Sequence, residues 1–467
     1  MGKEGRPFNK MKVLLINLPA KGHPVVRDMA GGLGFDGGST VVLPPLDLAY
    51  MAATLLNKGH KVRIIDSDVE NYPNEEIYQV IRKYESEVII ATVSLPSIYS
   101  DCLFLRGIRE YTSAKVIAKT NISYPPILKI LLERSSADIC IYGESDLNIE
   151  EIILDKERNG TAYFKDNEFI IEENNIIQNL DNLPLPARQL LPNEKYRYIL
   201  LGSRTTSIQT SRGCPYPCSY YCPYPLVQGK IWRARSPEHV IREIEDIVKN
   251  YNIQKILFRD ATFTLDKERA DKICELILKN RLKISWWCET RVDCLDSKLM
   301  ERMKMAGCLG MNIGVETGDP EVMETQAKIG MTLDKLKVIK KTAQELGLRL
   351  HFLLMIGLPK ETKRSLYETY KLVRDLKPES VGICIITPYP GTPLHTEAKQ
   401  KGWIETENWS KFGGHFPVMH TDNLSSQDLT KAQQMILKGL YALREDSPKG
   451  WLKSRFLNFR FKRWVLH

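Results

Sequence analysis

Short apolar runs alternate with amphipathic stretches along most of this 467-residue chain. Over the first third the runs are KVLLIN (12–17), KVRIID (61–66), EVIIAT (87–92), KVIAKT (115–120) and DICIYG (138–143). They are near-continuously apolar rather than alternating, which marks strands covered on both faces. Helix-period segments lie between them, such as LDLAYMAATLLNKG (46–59), where Gly59 supplies the stop. That alternation predicts a doubly wound parallel sheet over residues 11–155. Such sheets take ligands at the carboxyl ends of their strands, which selects LPAKGHP (18–24), AGGLGFDGG (30–38) and GESD (143–146) as candidate loops.

The pattern breaks over 156–200. TAYFKDNEFIIEE (161–173) reads as a hairpin turning near Asp166 and Asn167, and the Pro-punctuated DNLPLPARQLLP (181–192) as an extended linker. From Thr206 the alternation resumes with TSIQTS, KILF (255–258), KISWWC (283–288), GMNIGV (310–315), LHFLLMIG (350–357) and SVGICIIT (380–387). Helices separate these runs. One is capped by Ser236 with Pro237 in its first turn; another lies between Thr332 and Gly347. Six βα units predict an open, partial (βα)6 barrel of the TIM type over 201–395, followed by a helical C-terminal region over 396–467.

Composition is globular, 43% hydrophobic, with no apolar run near the roughly 18 residues of a membrane span. MGKEGRPFNK lacks the apolar centre of a signal peptide and the Ser or Thr of a myristoylation site, so a cytoplasmic protein is expected. The net charge of +9 owes much to the tail from Lys449, which carries Lys449, Lys453, Arg455, Arg460, Lys462 and Arg463 and no acid. The rest is near balance, so no nucleic-acid partner is expected. Aromatic residues interleave with these bases. A lid that packs its rings on the barrel is the favoured reading, and peripheral contact with an anionic membrane is the alternative.

Ten cysteines suit a thiol-keeping compartment. Seven stand apart, and those inside apolar segments, Cys274 and Cys384 among them, read as small buried hydrophobes. GCPYPCSYYCPYP (213–225) instead sets Cys214, Cys218 and Cys222 at a four-residue pitch among prolines. Structural zinc wants four ligands, and no partner pair lies nearby. Three thiolates suit a 4Fe–4S cubane with one iron left open, and Gly213 would let the backbone come close to it.

The loop, placed after the first strand of a six-unit barrel, resembles the CxxxCxxC nest of the radical S-adenosylmethionine (SAM) superfamily. The spacing here is CxxxCxxxC, with Tyr221 where the family's third cysteine would fall and Cys222 after it. The resemblance implies Tyr221 near the adenine and assigns further contacts at the strand ends. Asp260 in FRDATFTLD would accept from the SAM amino group, and Arg291 in CETRVD would pair with the methionine carboxylate, with Glu289 brought to the same mouth. Glu316 in GVETG would accept from ribose hydroxyls, Gly357 in IGLPKET would admit the adenine, and TPYPGTPL (387–394) closes the sixth unit.

LPPLDLAYMAATLLNKGHKVRIID, YGESD and LDNLPLPAR resemble the cobalamin-binding domain and linker that precede many such enzymes. The DxHxxG motif that supplies a cobalt-ligating histidine is absent, and His23 is the sole histidine in its loop. The resemblance implies a 4Fe–4S cluster, SAM and cobalamin. It also implies a one-electron reductant such as flavodoxin or ferredoxin, and methyl transfer to a small-molecule or lipid-like substrate radical. A radical SAM oxidoreductase or cyclase without cobalamin is the rival. A methylthiotransferase fits less well, because only Cys102 and Cys140 precede the nest. A zinc-containing nucleic-acid or lipid-binding module leaves the strand-end residues without a role.

Overall fold

The structure, a computed structural model, describes residues 10–466 apart from 21, 23, 37–40, 175, 328–329 and 445–447. It divides into two compact units, Met1–Ser207 and Ile208–His467.

In unit 1, strands β1 (Lys12–Asn17), β2 (Lys61–Asp66), β3 (Val88–Val93), β4 (Lys115–Thr120) and β5 (Ile139–Tyr142) run parallel. The hairpin of β6 (Thr161–Lys165) and β7 (Glu168–Ile171) adds two antiparallel edge strands, giving the order β7-β6-β5-β4-β3-β1-β2. The parallel part is the doubly wound order that reverses between β1 and β3, where such sheets keep their ligands. Helices α1 (Leu46–Asn57), α2 (Ile98–Ile108) and α3 (Pro125–Ser135) are among those that follow the strands. The hairpin turns where expected, with Asp166 and Asn167 at φ +49° and +65°. It pairs with β5 at the edge of the sheet. Residues 181–203 pack with unit 1 as well: Tyr196 is buried, and its hydroxyl donates to Asp66 Oδ2 at 2.8 Å.

The second sheet runs β8 (Thr205–Ile208), β9 (Lys255–Phe258), β10 (Ser285–Thr290), β11 (Cys308–Glu316), β12 (Arg349–Ile356), β13 (Ser380–Ile385), in chain order. Helices α4 (Pro237–Tyr251), α5 (Lys267–Lys279), α6 (Ser297–Met305), α7 (Leu333–Glu345) and α8 (Lys363–Leu376) form the outer layer. Ser236 caps α4 as the sequence offered, accepting from His239 N–H, and Thr332 caps α7, accepting from Lys335 N–H. Inter-layer packing forms one large core around Phe258, Trp286, Met311, Phe352 and Tyr370. The C-terminal helices α9 (Ser426–Arg444) and α10 (Pro448–Leu466) pack on α8 and join this core through Ile436 and Phe461. Among the described residues no helix is long and apolar enough to cross a membrane.

Candidate functional site

The cysteine loop leaves β8 through a short ladder pairing Ser211–Arg212 with Arg233–Ala234. Gly213 then adopts φ +87°, and a Cβ there would lie 2.0 Å from the Ile231 carbonyl oxygen, so only glycine fits this entry. Cys214 N–H is held by Gly229 O at 3.2 Å. A 3-10 turn over Pro217–Tyr220 follows, and both Tyr221 N–H (3.1 Å) and Cys222 N–H (2.9 Å) donate to Cys218 O. The long spacing is thereby absorbed. The extra residue completes a helical turn, which sets Cys218 and Cys222 at i and i+4 on one side.

All three cysteines line one cavity, and Glu289, Arg291 and Glu316 line it too. Among the described residues no group of three or more His, Cys, Asp or Glu converges to hold a single metal ion. Ligation of a cubane needs no such convergence, because each thiolate takes a different iron. Arg291 is oriented before any ligand arrives. Its Nε and Nη2 donate to Asp293 at 2.9 Å each, and its guanidinium lies 3.7 Å from the centre of the Tyr216 ring. Tyr216, from the cysteine loop, is fixed in turn by a 2.9 Å hydrogen bond with Cys294 Sγ. Glu289 accepts from Asn312 Nδ2 at 3.4 Å and pairs with Arg259 at 3.6 Å. Glu316 sits at φ +65° where the β11–β12 register shifts, a strained bulge of the kind that re-aims a side chain at a site.

Three of the expected contact residues do not line this cavity. Asp260 is fully buried and does not line the cavity. Its carboxylate accepts from Thr210 N–H (2.9 Å), Thr210 Oγ1 (3.0 and 3.1 Å) and Ser211 Oγ (2.7 Å), so it anchors the strand end that launches the cysteine loop. Its neighbours Ala261 and Thr262 reach the cavity instead. Tyr221 packs beneath the loop against Met355, Leu358, Ile386 and Trp403, with Cys218 and Cys222 on the same cluster. Gly357, at φ +96°, permits the close approach of Ile386 and Leu429, and its N–H donates to Glu361 at 2.6 Å. Cys384 is exposed, contrary to the reading of it as a core residue. It pairs in register with Met355, two residues beyond the cavity-lining Leu353, so it faces the concave side of an open sheet. Cys274 is buried as expected.

Glu361 was not singled out from sequence. Wholly buried, it accepts from Gly357 N–H, Leu358 N–H (3.2 Å) and Thr317 Oγ1 (3.0 Å), tying the loop after β12 to the residue after Glu316. Burial pushes its carboxyl up to about 7 against the pull of these hydrogen bonds. Thr262, Thr290 and Asn312 were also missed. The signal for Asn312 was present, as a polar residue inside an otherwise apolar strand.

In unit 1 the switch point holds a buried polar network. Asn17 Nδ2 donates to Asp66 (2.8 Å) and Thr92 Oγ1 to Asn17 (3.0 Å), while Arg27 pairs with Asp68 (2.9 Å) and Asp101 (3.3 Å). Asp68 also accepts from Ala20 and Val25 N–H, which ties down the loop after β1. His23 in that loop lies outside the described residues. Ser67 and Ser145, each beyond the carboxyl end of a parallel strand, are buried with hydroxyls that lack a hydrogen-bond partner among the described residues.

Comparison with known proteins gives a consistent result. The radical SAM superfamily model matches residues 208–373. A Pyrococcus horikoshii protein named as an uncharacterized methyltransferase is 31% identical over 471 residues, covering 97% of this chain and 96% of that one. An anaerobic magnesium-protoporphyrin IX monomethyl ester cyclase of Rubrivivax gelatinosus is 27% identical, covering 83% and 71%. Among solved structures, the radical SAM methyltransferase TsrM of Kitasatospora setae, with cobalamin and a 4Fe–4S cluster bound, aligns with TM-score 0.70 at 15% identity over 97% of this chain and 100% of that one. The cobalamin-dependent radical enzyme OxsB aligns with TM-score 0.72 at 16% identity over 97% and 71%. At such identities these likenesses establish the fold, a cobalamin-domain-like sheet followed by a radical SAM barrel. With a relative above 30% identity along nearly its whole length, the chain belongs to the radical SAM superfamily, in the group whose barrel follows that domain.

Proposed function

We propose that Cys214, Cys218 and Cys222 hold a 4Fe–4S cluster, that the cavity beside them takes SAM, and that unit 1 holds cobalamin for methyl transfer to a small-molecule or lipid-like substrate. The observation that carries the reading is the shared cavity: three thiols, two carboxylates and one pre-set guanidinium converge on it. When bound, the reduced cluster supplies the electron that cleaves SAM to methionine and a 5′-deoxyadenosyl radical, and cobalamin supplies a methyl carrier.

The chain's own residues bind, orient and exclude water. Arg291, held by Asp293 and Tyr216, presents a fixed fork to the methionine carboxylate, so little side-chain freedom is lost on binding. Glu289 serves as acceptor for the SAM ammonium in place of Asp260, and Glu316 for the ribose hydroxyls. Asp260 and Glu361 act through others, as positioning residues for the cysteine loop and for the Glu316–Gly357 side of the cavity.

For cobalamin, the reversal of strand order between β1 and β3 and the buried hydroxyls of Ser67 and Ser145 suit a large polar ligand. The loop after β1, held by Asp68, carries no DxHxxG motif. We place the enzyme in the cytoplasm, with a donor such as flavodoxin or ferredoxin. The identity to the cyclase favours a second reading, the same radical chemistry without cobalamin and with a cyclising or oxidising outcome.

The test is electron paramagnetic resonance of the reconstituted, reduced protein before and after SAM is added, with corrinoid absorbance measured alongside. A cluster signal altered by SAM, with stoichiometric corrinoid, is expected. Absence of a cluster signal would overturn the cluster assignment, a signal indifferent to SAM would overturn the SAM site, and an altered signal without corrinoid would favour the second reading.

A further inference from the structure

Helix α10 has two faces of different character. One face packs: Phe461 is fully buried against Tyr367, Tyr370 and Trp464, and Asn458 accepts from Tyr367 Oη at 3.0 Å. Lys363 and Lys431, from the neighbouring helices, lie over the Trp464 ring at 5.2 and 5.4 Å. That face accounts for two of the tail's five aromatic residues, Phe461 and Trp464, as a lid.

The opposite face does not pack. Phe456, Phe459 and Leu466 are 59%, 62% and 72% exposed, far more than large apolar side chains of a docked helix usually are. At helical spacing they form a single stripe with Arg463 between them. Arg460 and Lys462, both exposed, flank it, and Arg460 lies 5.7 Å from the Phe456 ring. No acidic residue occurs from Lys449 to the end of the chain, so the face is cationic without internal balance.

From these facts we infer that the outer face of α10 is a docking surface for an anionic lipid bilayer, with Phe456, Phe459 and Leu466 entering the headgroup boundary and Arg460, Lys462 and Arg463 meeting lipid phosphates. Apolar side chains at the centre and bases beside them are the arrangement an interfacial helix needs. An acidic protein would match the charge, but it would not explain a projecting pair of phenylalanines with no pocket of their own. The proposal stands apart from the cofactor assignments. It makes the tail a lid on one side and a membrane contact on the other.

The test is co-sedimentation of the full-length, cluster-loaded protein with vesicles of phosphatidylcholine alone or mixed equally with phosphatidylglycerol. Binding to the mixed vesicles is expected, falling by about tenfold or more as salt shortens the screening length from ~10 Å at 0.1 M toward ~3 Å at 1 M. Phe456→Ser with Phe459→Ser should weaken binding at least about tenfold. Arg460→Gln, Lys462→Gln and Arg463→Gln should each cost about fivefold. All should leave 5′-deoxyadenosine formation unchanged, which also shows that the variants fold. Absent binding, equal binding to neutral vesicles, or wild-type binding by the phenylalanine double variant would each overturn the proposal. So would self-association, or flavodoxin binding, that the double variant abolishes while no vesicles are bound.

Discussion

Replacing Asp260 with Asn separates a ligand-binding role from an anchoring one. The carboxylate receives a backbone N–H and two hydroxyls in a site with no solvent access, and Arg269 stands near enough to pull its pKa down against burial, which pushes it up. An amide that keeps its oxygen at Oδ1 retains three of these contacts and puts an N–H2 group where Oδ2 accepted from Thr210 Oγ1. That Oδ2 contact is then lost, the remaining bonds no longer go to a charge, and the Arg269 charge loses its balance. A buried hydrogen bond to a charged group is worth about 1.5–3 kcal/mol, so the change should cost about 1.5–3 kcal/mol. Unit 2 runs from Ile208 to His467. In a unit of that size each kcal/mol lowers Tm by about 2–4 °C, giving a fall of roughly 3–12 °C by calorimetry. SAM affinity of the loaded fraction, by anaerobic equilibrium dialysis, should stay within about twofold because Asp260 does not line the cavity. An unchanged Tm with SAM binding weakened tenfold would refute this reasoning and return Asp260 to the ammonium.

Other outcomes follow from the same geometry. Glu361, ordinarily near 4.5, is held at about 7 in the fold, so the folded state keeps its proton while the unfolded state loses it. Stability from this group is therefore full below about pH 4.5 and lost as pH rises through 7, about 3 kcal/mol in all. Glu361→Gln should remove that slope from urea titrations followed by Trp286 and Trp287 fluorescence; an unchanged slope would count against it. Arg291→Lys loses the fork to Asp293 and the stack on Tyr216, and should weaken SAM binding about tenfold with little change in Tm. Gly213→Ala drives a Cβ into the Ile231 carbonyl at a φ that disfavours it, and should abolish iron retention; normal iron content would contradict the close approach. Phe461→Ala should cost about 3–5 kcal/mol and make α10 the first site of limited proteolysis.

The strand–helix alternation was legible because each run is apolar on both faces, and Asp166–Asn167 marked the hairpin through their tolerance of positive φ. Sheet order was not legible. Nothing in β6 or β7 alone says that they pair with β5 instead of bridging two domains. At the site, the three cysteines could be read because they are local in sequence. Side chains brought together over long separations could not. Arg27 meets Asp101 across 74 residues and Thr317 meets Glu361 across 44, and no spacing rule reaches so far. Asp260 shows the opposite error. Its position at a strand end was read correctly, but a strand-end carboxylate can point back under the sheet edge as readily as into the cavity. The bulge that sets Glu316 at positive φ is likewise a product of pairing, not of local composition.

The central claim is that the altered CxxxCxxxC spacing forms a working cluster nest, because a helical turn puts Cys218 and Cys222 on one side. The most direct test is formation of 5′-deoxyadenosine from SAM by the anaerobically reconstituted, reduced protein, measured by mass spectrometry beside Cys222→Ala. Product from the wild type, and none from the variant, is the predicted result. No product from wild-type protein carrying its full iron, or equal product from the variant, would contradict the account.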